Sequence, residues 1–550
     1  MEAFFDFTKL PPSQWGDHFL SVRIADSDFD LLAREIKVLK AQLREDIFNL
    51  SSPDNTTLKK CIISIHLLIS LGISYHFENE IEEILKHAFE KIDDLIADEI
   101  DLYTISIIFR VFRTYGHYVL SDIFNRFKGN DGKFKESLVE EYVKGMLSFY
   151  EAVHFGTTTD HILDKALSFT LDHLKPLATG CRPCTPHLVK HIQNALHIPQ
   201  HRNSQALVAR DYITFYEQEE DCDDTLLKLA KLNFKFMQLQ YFKELKIITM
   251  WWRELEHTLN LPANIKERTV ESWFSALMIN FEPHFSLGRI MSAKLYLLIT
   301  FIDDACDIYG SVPEVACLVD CLESRWDPDY MENLQDHMKS AFKFVMHVFK
   351  EYDEILRSQK RSFMLEKMVE EFIILAKSNL KLIKWTKACH MPNFDEYMEA
   401  GEAEVGAYAA MACSIMGLGD IGKKEDFEWL RSRPKFVRSL AAKTRLMDDI
   451  TDYEDDMNKG YTANAINYYM NQHGITKEET NRELEKMIGN INKIVNEEYL
   501  KTTNISGRIR NQFINFGRLV DVLYTADDVF NHRGGKFKDY IFTLLIDPIP

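Results

Sequence analysis

Apolar residues recur at three- and four-residue intervals along most of the chain. The clearest segments are residues 31–48, 81–96, 225–253 and 478–499. This spacing gathers the apolar side chains on one face of an α-helix, whereas a half-buried β-strand alternates every second residue. We find no convincing alternation of the second kind and no repeat of fixed length. The pattern therefore predicts an all-α protein.

Long helices with short connections are expected, because residues that favour turns are scarce. The 550 residues include 22 glycines and 15 prolines, about 4 % and 3 % of the chain, against typical usage of about 7 % and 5 %. A polar acidic run, EQEEDCDD at residues 217–224, separates two helical blocks. We place the boundary there, with one helical domain over residues 1–222 and a larger one over residues 223–550.

The charge balance argues against a nucleic-acid partner. The chain has 84 acidic and 65 basic residues and a formal net charge of −19, whereas nucleic-acid binders cluster positive charge. The most apolar stretches, residues 61–73 and 294–302, fall short of the roughly 20 residues that a membrane span needs. Residues 1–15 contain no arginine and resemble neither a secretory signal nor a transit peptide. Together with the sparse cysteines, these features predict a cytoplasmic protein without a membrane span.

Two aspartate clusters are the main candidates for chemistry. The first reads Asp303-Asp304-Ala-Cys-Asp307. The second reads Asp448-Asp449-Ile-Thr-Asp452 and continues to Asp456. Side chains four residues apart share one face of a helix, so each cluster predicts a row of carboxylates.

Each cluster follows a largely apolar helical stretch, with helix stops expected near Gly310 and Gly460. A helix C-terminus disfavours anions by about 0.3–1 kcal/mol each, and like charges four residues apart cost about 0.2–0.5 kcal/mol per pair. Cations would offset this repulsion, and Mg²⁺ prefers oxygen ligands next to a phosphate-bearing substrate. A solvated acidic surface is the alternative, although two such clusters together favour metal binding.

Basic residues near the clusters suggest a diphosphate clamp. Arg445 precedes Asp448 by one helical turn, and Lys266 and Arg268 lie upstream of the first cluster. Guanidinium groups match phosphate oxygens with two parallel bonds. For Arg445 the alternative is an intrahelical pair with Asp448 or Asp449, which contributes only tenths of a kcal/mol.

Several short segments match one known family in order and spacing. They include WGDHFL at 15–20, DIFNRFK at 122–128, ILDKAL at 162–167, WW at 251–252, FEP at 281–283, MGLGD at 416–420 and MDDI at 447–450. In these segments the chain resembles plant class I terpene synthases, in particular the sesquiterpene synthases, from near residue 15 to the C-terminus.

The resemblance implies two helical domains: a C-terminal class I terpenoid synthase α-bundle and an N-terminal α-barrel-like domain. It implies three Mg²⁺ ions, for which Mn²⁺ can substitute, and a prenyl diphosphate substrate bound by a monomer. The second metal motif of the family is all-aspartate in this chain, as in cadinene-type synthases. The expected metal ligands are Asp303, Asp304, Asp307, Asp448, Asp452 and Asp456. The expected substrate-binding residues are Lys266, Arg268, Asp303, Arg445, Asp448, Lys459 and Phe530.

The resemblance also indicates which residues act on the substrate. Arg268, Arg445, Trp273 and Tyr524 are the expected catalytic residues, and Tyr408 and Phe530 are further aromatic candidates for stabilising a carbocation. For each aromatic ring, core packing is the alternative. The chain departs from the family pattern at Ser275, where a tryptophan is common, and at Phe530, where a tyrosine is usual.

The expected function is that of a Mg²⁺-dependent sesquiterpene synthase. Such an enzyme ionises farnesyl diphosphate, cyclises or rearranges the carbocation to a C15 terpene and releases diphosphate. The alternatives are a chain-elongating isoprenyl diphosphate synthase, which also has two aspartate clusters, and a catalytically decayed helical scaffold.

Overall fold

The structure is a computed structural model that describes residues 15, 18–49, 53–138, 143–259, 267–306, 310–324, 331–332, 334–388, 390–526, 528–530 and 535–549. Within these ranges the regular structure is helical, and no β-strand occurs apart from an isolated antiparallel bridge between Lys128 and Phe134. The predicted all-α fold class is confirmed.

The chain divides into two compact units. The aspartate unit comprises Met1–Arg23, Gln240–Ile491 and Arg508–Lys538, and the amino-terminal unit comprises Ile24–Leu239, Asn492–Gly507 and Asp539–Pro550. The units divide within the helix Asp224–Leu259 rather than at the acidic run before it. The domain boundary between residues 222 and 223 therefore stays a prediction.

The amino-terminal unit is built around two helices that bury most of their residues, Leu102–Thr114 and Val143–Val153. Leu102–Thr114 packs against Asn55–Ser70 and Val143–Val153, and the last of these packs against His161–Ala178. Aspartate caps fix two helix starts: Asp54 accepts from the Thr57 amide and Asp101 from the Thr104 amide. Further α-helices that lie wholly within the described part of this unit are Asp26–Phe48, Glu78–Phe89, Ile92–Ile96, Pro186–His197 and Gln205–Tyr216.

The aspartate unit surrounds two helices that are buried on almost every side, Thr269–Ile279 and Ala407–Gly417. Its other helices within the described ranges are His18–Ser21, Ser286–Asp304, Val312–Glu323, Asp336–Ser358, Phe363–Lys387, Phe394–Glu404, Lys424–Arg431, Lys435–Thr451, Tyr453–Lys459 and Ala465–His473. Four helices contribute residues to both units: Asp224–Leu259, Lys477–Lys501, Gly507–Tyr524 and Gly535–Ile541. A helix that is apolar on every side must be buried, so the sequences of Thr269–Ile279 and Ala407–Gly417 predict that both helices lie inside the unit.

One helical segment, Pro283–Asp304, is long and apolar enough to cross a membrane by length and composition. The sequence analysis counted uninterrupted apolar residues and therefore did not single out this segment. However, 67 % of the segment's most apolar window is buried in the protein. A buried core helix passes the same test, so the segment is weak evidence for a membrane span.

Candidate active site

The helix Ser286–Asp304, the first aspartate helix, carries the first acidic cluster at its C-terminal end. It packs against Thr269–Ile279 and Ala407–Gly417. At the crossing with Ala407–Gly417, a Cβ atom added to Gly288 would lie 2.6 Å from the Gly417 carbonyl oxygen. Only glycine permits this backbone contact, which fixes how closely the two helices approach.

Asp304 is held by a buried arginine. Arg268 donates from Nη1 to Asp304 Oδ2 over 2.6 Å and from Nη2 to Oδ1 over 3.3 Å. Burial, together with the charges of Asp304 and Asp448, raises the pKa of Asp303 to about 6. Because Asp448 contributes to that shift, the two acidic clusters lie within electrostatic reach of each other.

The second cluster spans a helix and the short helix that follows it. Asp448 and Asp449 lie on Lys435–Thr451, the second aspartate helix, Asp452 lies at a bend, and Asp456 lies on Tyr453–Lys459. Gly460 ends this stretch with φ of 77°, a conformation that glycine adopts at little cost. The predicted stop is therefore confirmed, and the bend at Asp452 was not predicted.

Arg445 connects the second aspartate helix to the helix Phe394–Glu404. It donates from Nη1 to Glu404 Oε2 over 2.6 Å, and from Nη2 to Asp448 and to Asp449 Oδ1, the latter over 2.5 Å. Gly401 leaves room for it, since an added Cβ would lie 2.6 Å from Arg445 Cδ. The intrahelical pair expected from spacing exists, within a larger network.

Asp449 has a structural position in this network. It is completely buried, and its Oδ2 accepts from Tyr397 Oη over 2.6 Å and from the Ala465 amide over 2.7 Å. Asn464 donates to the Asp449 carbonyl and to Asp456 Oδ2, each over 3.2 Å. These bonds join the second aspartate helix to two neighbouring helices.

The segment after the helix Gly507–Tyr524 adds a further carboxyl group. Asp528 is 3 % exposed, and it accepts from the Phe530 amide over 2.9 Å. Burial and the Asp448 charge raise the pKa of Asp528 to about 6. Burial and the same charge also raise the pKa of Tyr524, whose hydroxyl bonds to Asp448.

Acidic groups outnumber basic groups in this site. Burial and the charges of Asp448 and Asp449 raise the pKa of Asp456 to about 7. Burial likewise raises the pKa of Glu404 to about 8, with Asp303, Asp448 and Asp449 contributing. Burial is the largest cause of both shifts and the neighbouring carboxylates add to it, so a cation bound beside these groups would favour their charged forms.

Both arginines retain an unused donor. The Nε atoms of Arg268 and Arg445 are buried and have no acceptor among the described residues. Buried donors of this kind are normally satisfied, which points to a missing acceptor. An anion with several oxygens, such as diphosphate, supplies acceptors of the right kind.

The donor chemistry of the site fits hard divalent ions, because every candidate ligand is a carboxylate oxygen. Within the described ranges, no three His, Cys, Asp or Glu side chains are already gathered as a metal cluster. The candidate carboxylates lie on separate helices, Ser286–Asp304 on one side and Lys435–Thr451 with Tyr453–Lys459 on the other.

Three predicted site residues are not found in the site as described. Asp307 and Lys266 are outside the described residues, and Lys459 is exposed at a helix end. Trp273 is fully buried, and its indole donates over 3.0 Å to Glu244, which also pairs with Arg289. These contacts favour the packing alternative for Trp273, while its catalytic role stays a prediction.

The aromatic rings of Tyr408 and Phe530 have different neighbours from each other. The Tyr408 hydroxyl donates to Glu402 over 3.0 Å, and the Arg433 guanidinium lies 3.8 Å from the centre of its ring. The ring is thus already in contact with a cation of the protein itself. Phe530 is half-buried beside Asp528.

Sequence reasoning missed Glu404, Tyr397 and Asn464. A signal for Glu404 existed: an acid at the end of a helix rich in small residues, AGEAE, just before Gly406. Such a position is unfavourable for an anion without a cationic partner. No pattern indicated Tyr397 or Asn464, because their partners lie 52 and 15 residues away.

Comparisons with known proteins agree with this geometry. Residues 253–494 match the model of the terpene synthase family metal-binding domain, and residues 14–196 match the terpene synthase N-terminal domain. The match to the metal-binding domain covers all six aspartates expected as metal ligands, so a divalent metal cofactor is supported.

Individual relatives span the whole chain. Alpha-barbatene synthase of Arabidopsis thaliana is 72 % identical over 548 residues, covering 100 % of this chain and 98 % of its own. (Z)-gamma-bisabolene synthase 1 of the same plant is 52 % identical over 544 residues, covering 99 % and 97 %.

A solved structure shares the fold. Isoprene synthase from grey poplar (Populus x canescens), in complex with three Mg²⁺ ions and dimethylallyl-S-thiolodiphosphate, has a TM-score of 0.85 and 26 % identity, covering 95 % of this chain and 99 % of its own. With two domain models matched and full-length relatives above half identity, the chain belongs to the terpene synthase family.

Proposed function

We propose that this enzyme is a Mg²⁺-dependent sesquiterpene synthase that converts farnesyl diphosphate to a C15 terpene and releases diphosphate. The relatives at 72 % and 52 % identity are sesquiterpene synthases, which favours a C15 substrate. The observation that carries the proposal is the pair of buried, unused Nε donors on Arg268 and Arg445, beside two rows of carboxylates.

The two arginines bind the diphosphate group. Arg268 is held through its Nη atoms by Asp304, and Arg445 through its Nη atoms by Glu404, Asp448 and Asp449. Each guanidinium is thus oriented before the substrate arrives, which lowers the entropic cost of binding. Lys266 and Lys459 are further proposed contacts to the diphosphate.

The carboxylates hold the divalent ions. Asp303, Asp304 and Asp307 are proposed on one side, and Asp448, Asp452 and Asp456 on the other, for three ions in all. Mg²⁺, or Mn²⁺ in its place, neutralises charge on the leaving diphosphate. Because Asp304 already pairs with Arg268, it contributes less to metal binding than Asp303.

After ionisation the protein must exclude water, since water would capture the carbocation as an alcohol. The buried helices Thr269–Ile279 and Ala407–Gly417 supply apolar walls. Aromatic faces stabilise a nearby cation by about 0.5–2 kcal/mol each. The proposed rings are those of Trp273, Tyr408, Tyr524 and Phe530.

The test is incubation of the purified enzyme with C10, C15 or C20 prenyl diphosphates and Mg²⁺, followed by gas chromatography–mass spectrometry. We expect C15 hydrocarbons or alcohols from farnesyl diphosphate alone. A chain-elongating enzyme would form product only after isopentenyl diphosphate is added, and a decayed scaffold would release no diphosphate. Either result would refute the proposal.

We further propose that the enzyme is a cytoplasmic monomer. Light scattering at micromolar concentration should give a mass near 64.3 kDa. Microscopy of a C-terminal fluorescent fusion should show diffuse cytoplasmic signal, and signal confined to plastids would contradict the proposal.

A further inference from the structure

The amino-terminal unit contains a cavity of about 240 Å³ that the proposed reaction does not use. Three helices contribute polar side chains to its lining: Leu102–Thr114 with Arg110, Val143–Val153 with Ser148 and Glu151, and Pro186–His197 with His191. Its apolar lining includes leucine, isoleucine and aromatic side chains. Cavities with an apolar wall and a few converging polar groups are typical of small-molecule sites.

Arg110 is the unusual group in this cavity. It is 6 % exposed and forms no ion pair with any described residue. Nη2 donates to Gln200 Oε1, whereas Nε has no acceptor among the described residues. A guanidinium does not lose its proton in a protein, so a buried positive charge remains without a paired anion.

The nearest carboxyl group does not neutralise Arg110. Glu151 accepts from the Gln200 amide over 2.8 Å, and burial raises the pKa of Glu151 to about 7 even though Arg110 lowers it. Burial and the Arg110 charge lower the pKa of His191 to about 4, so this imidazole is neutral at pH 7. Glu151 is therefore only partly ionised at pH 7 and does not fully balance the Arg110 charge.

A second buried donor lies in the same cavity. Ser148 is 4 % exposed, and its Oγ has no partner among the described residues. Lys144 and Glu219 form an ion pair at the more exposed side, where the Lys144 side chain is 27 % exposed. This pair carries no net charge, and Asp221, the other acidic residue at the cavity besides Glu151, is exposed.

We propose that this cavity binds a small organic carboxylate. Its charged group accepts from Arg110 Nε and Ser148 Oγ, and its apolar body lies against Leu147, Tyr212 and Phe215. This site is separate from the aspartate clusters in its residues, and the proposal does not depend on terpene synthesis.

The probe is 4-bromobenzoate, which combines a carboxylate, an apolar ring and a bromine that scatters X-rays anomalously. Crystals of the full-length protein soaked with it should show the bromine within this cavity. Isothermal titration should show binding at least tenfold weaker in Arg110→Met and about three- to tenfold weaker in Ser148→Ala, as expected for loss of a charged and a neutral donor.

The exposed Arg182→Met is the matched control, because it removes the same charge outside the cavity. It should bind the probe as the unchanged protein does. If Arg110→Met does not fold, Ser148→Ala and the bromine position still decide the question. Equal binding in all variants, bromine density only outside the cavity, or displacement by an equal concentration of inorganic phosphate would overturn the proposal.

Discussion

Replacing Asp449 tests whether the second aspartate helix is held by a structural carboxylate beside the proposed metal ligands. Asp449→Ala removes the acceptor of three donors: the Tyr397 hydroxyl, the Ala465 amide and Arg445 Nη2. After the substitution, the three donors differ in which acceptors they retain. Tyr397 keeps the Ala463 carbonyl at 3.3 Å, and Arg445 keeps Glu404 and Asp448.

The Ala465 amide would be left buried without this acceptor, at a cost of about 1–3 kcal/mol. Weakening the other two bonds adds about 1 kcal/mol each, so the total is about 3–5 kcal/mol. Asp449→Asn keeps one carbonyl oxygen for Tyr397 and Ala465, but it turns an amide towards Arg445. Because burial raises the pKa of Asp449 to about 6, removing its charge also relieves repulsion, and we expect a cost of about 1–2 kcal/mol.

The assay is urea unfolding followed by tryptophan fluorescence. All 7 tryptophans lie in the residue ranges of the aspartate unit, so the signal reports on that unit. Glu454→Ala is the control, since its carboxylate is 77 % exposed and pairs with Lys477 at the surface, where a pair contributes less than about 1 kcal/mol. The reasoning is refuted if Asp449→Ala unfolds at the same urea concentration as the control.

Three further predictions concern other parts of the chain. Asp303→Ala and Asp448→Ala should each lower kcat by about 10²–10³-fold in steady-state assays while leaving helical circular dichroism unchanged; unchanged turnover in both would contradict the metal assignment. Gly401→Ala should raise KM, because its Cβ would collide with the arginine packed on it, whereas Gly489→Ala, with nothing within 4 Å, should not. The pKa of Glu151 is raised to about 7 in the folded protein, against 4.5 in the unfolded chain. The stability that results is fully present below pH 4.5 and is lost as pH rises through 7, a total loss of about 3 kcal/mol. Glu151→Gln should reduce this dependence of stability on pH in thermal unfolding measured between pH 5 and 8. An unchanged dependence on pH would contradict the prediction.

The helical architecture and both acidic clusters could be predicted from the sequence because they depend on local spacing. The apolar periodicity over residues 225–253 corresponds to the helix Asp224–Leu259, and that over 478–499 to Lys477–Lys501. Over residues 81–96 the same pattern covers two helices, Glu78–Phe89 and Ile92–Ile96. Periodicity reports which face is buried and is insensitive to a short interruption of the backbone.

The pairing of groups across the site could not be predicted, because it depends on tertiary contacts. Nothing in the order of residues indicates that Glu404 meets Arg445, or that the indole of Trp273 bonds to the Glu244 carboxylate. The four-residue spacing placed Asp448 on the expected ligand face and left Asp449 off it. It could not indicate that Asp449 is enclosed by hydrogen bonds from Tyr397 and the Ala465 amide. Adjacent residues on a helix point in directions about 100° apart, so they can serve different purposes.

The contact between Gly288 and Gly417 has a consequence for how such an enzyme can diversify. Because main chain meets main chain at this crossing, the placement of the helix that ends in Asp303 and Asp304 does not depend on the bulk of any side chain there. Substitutions that reshape the hydrocarbon pocket can accumulate elsewhere without moving the carboxylates at which the reaction starts. The residues that ionise the substrate and the residues that determine the product can therefore evolve separately.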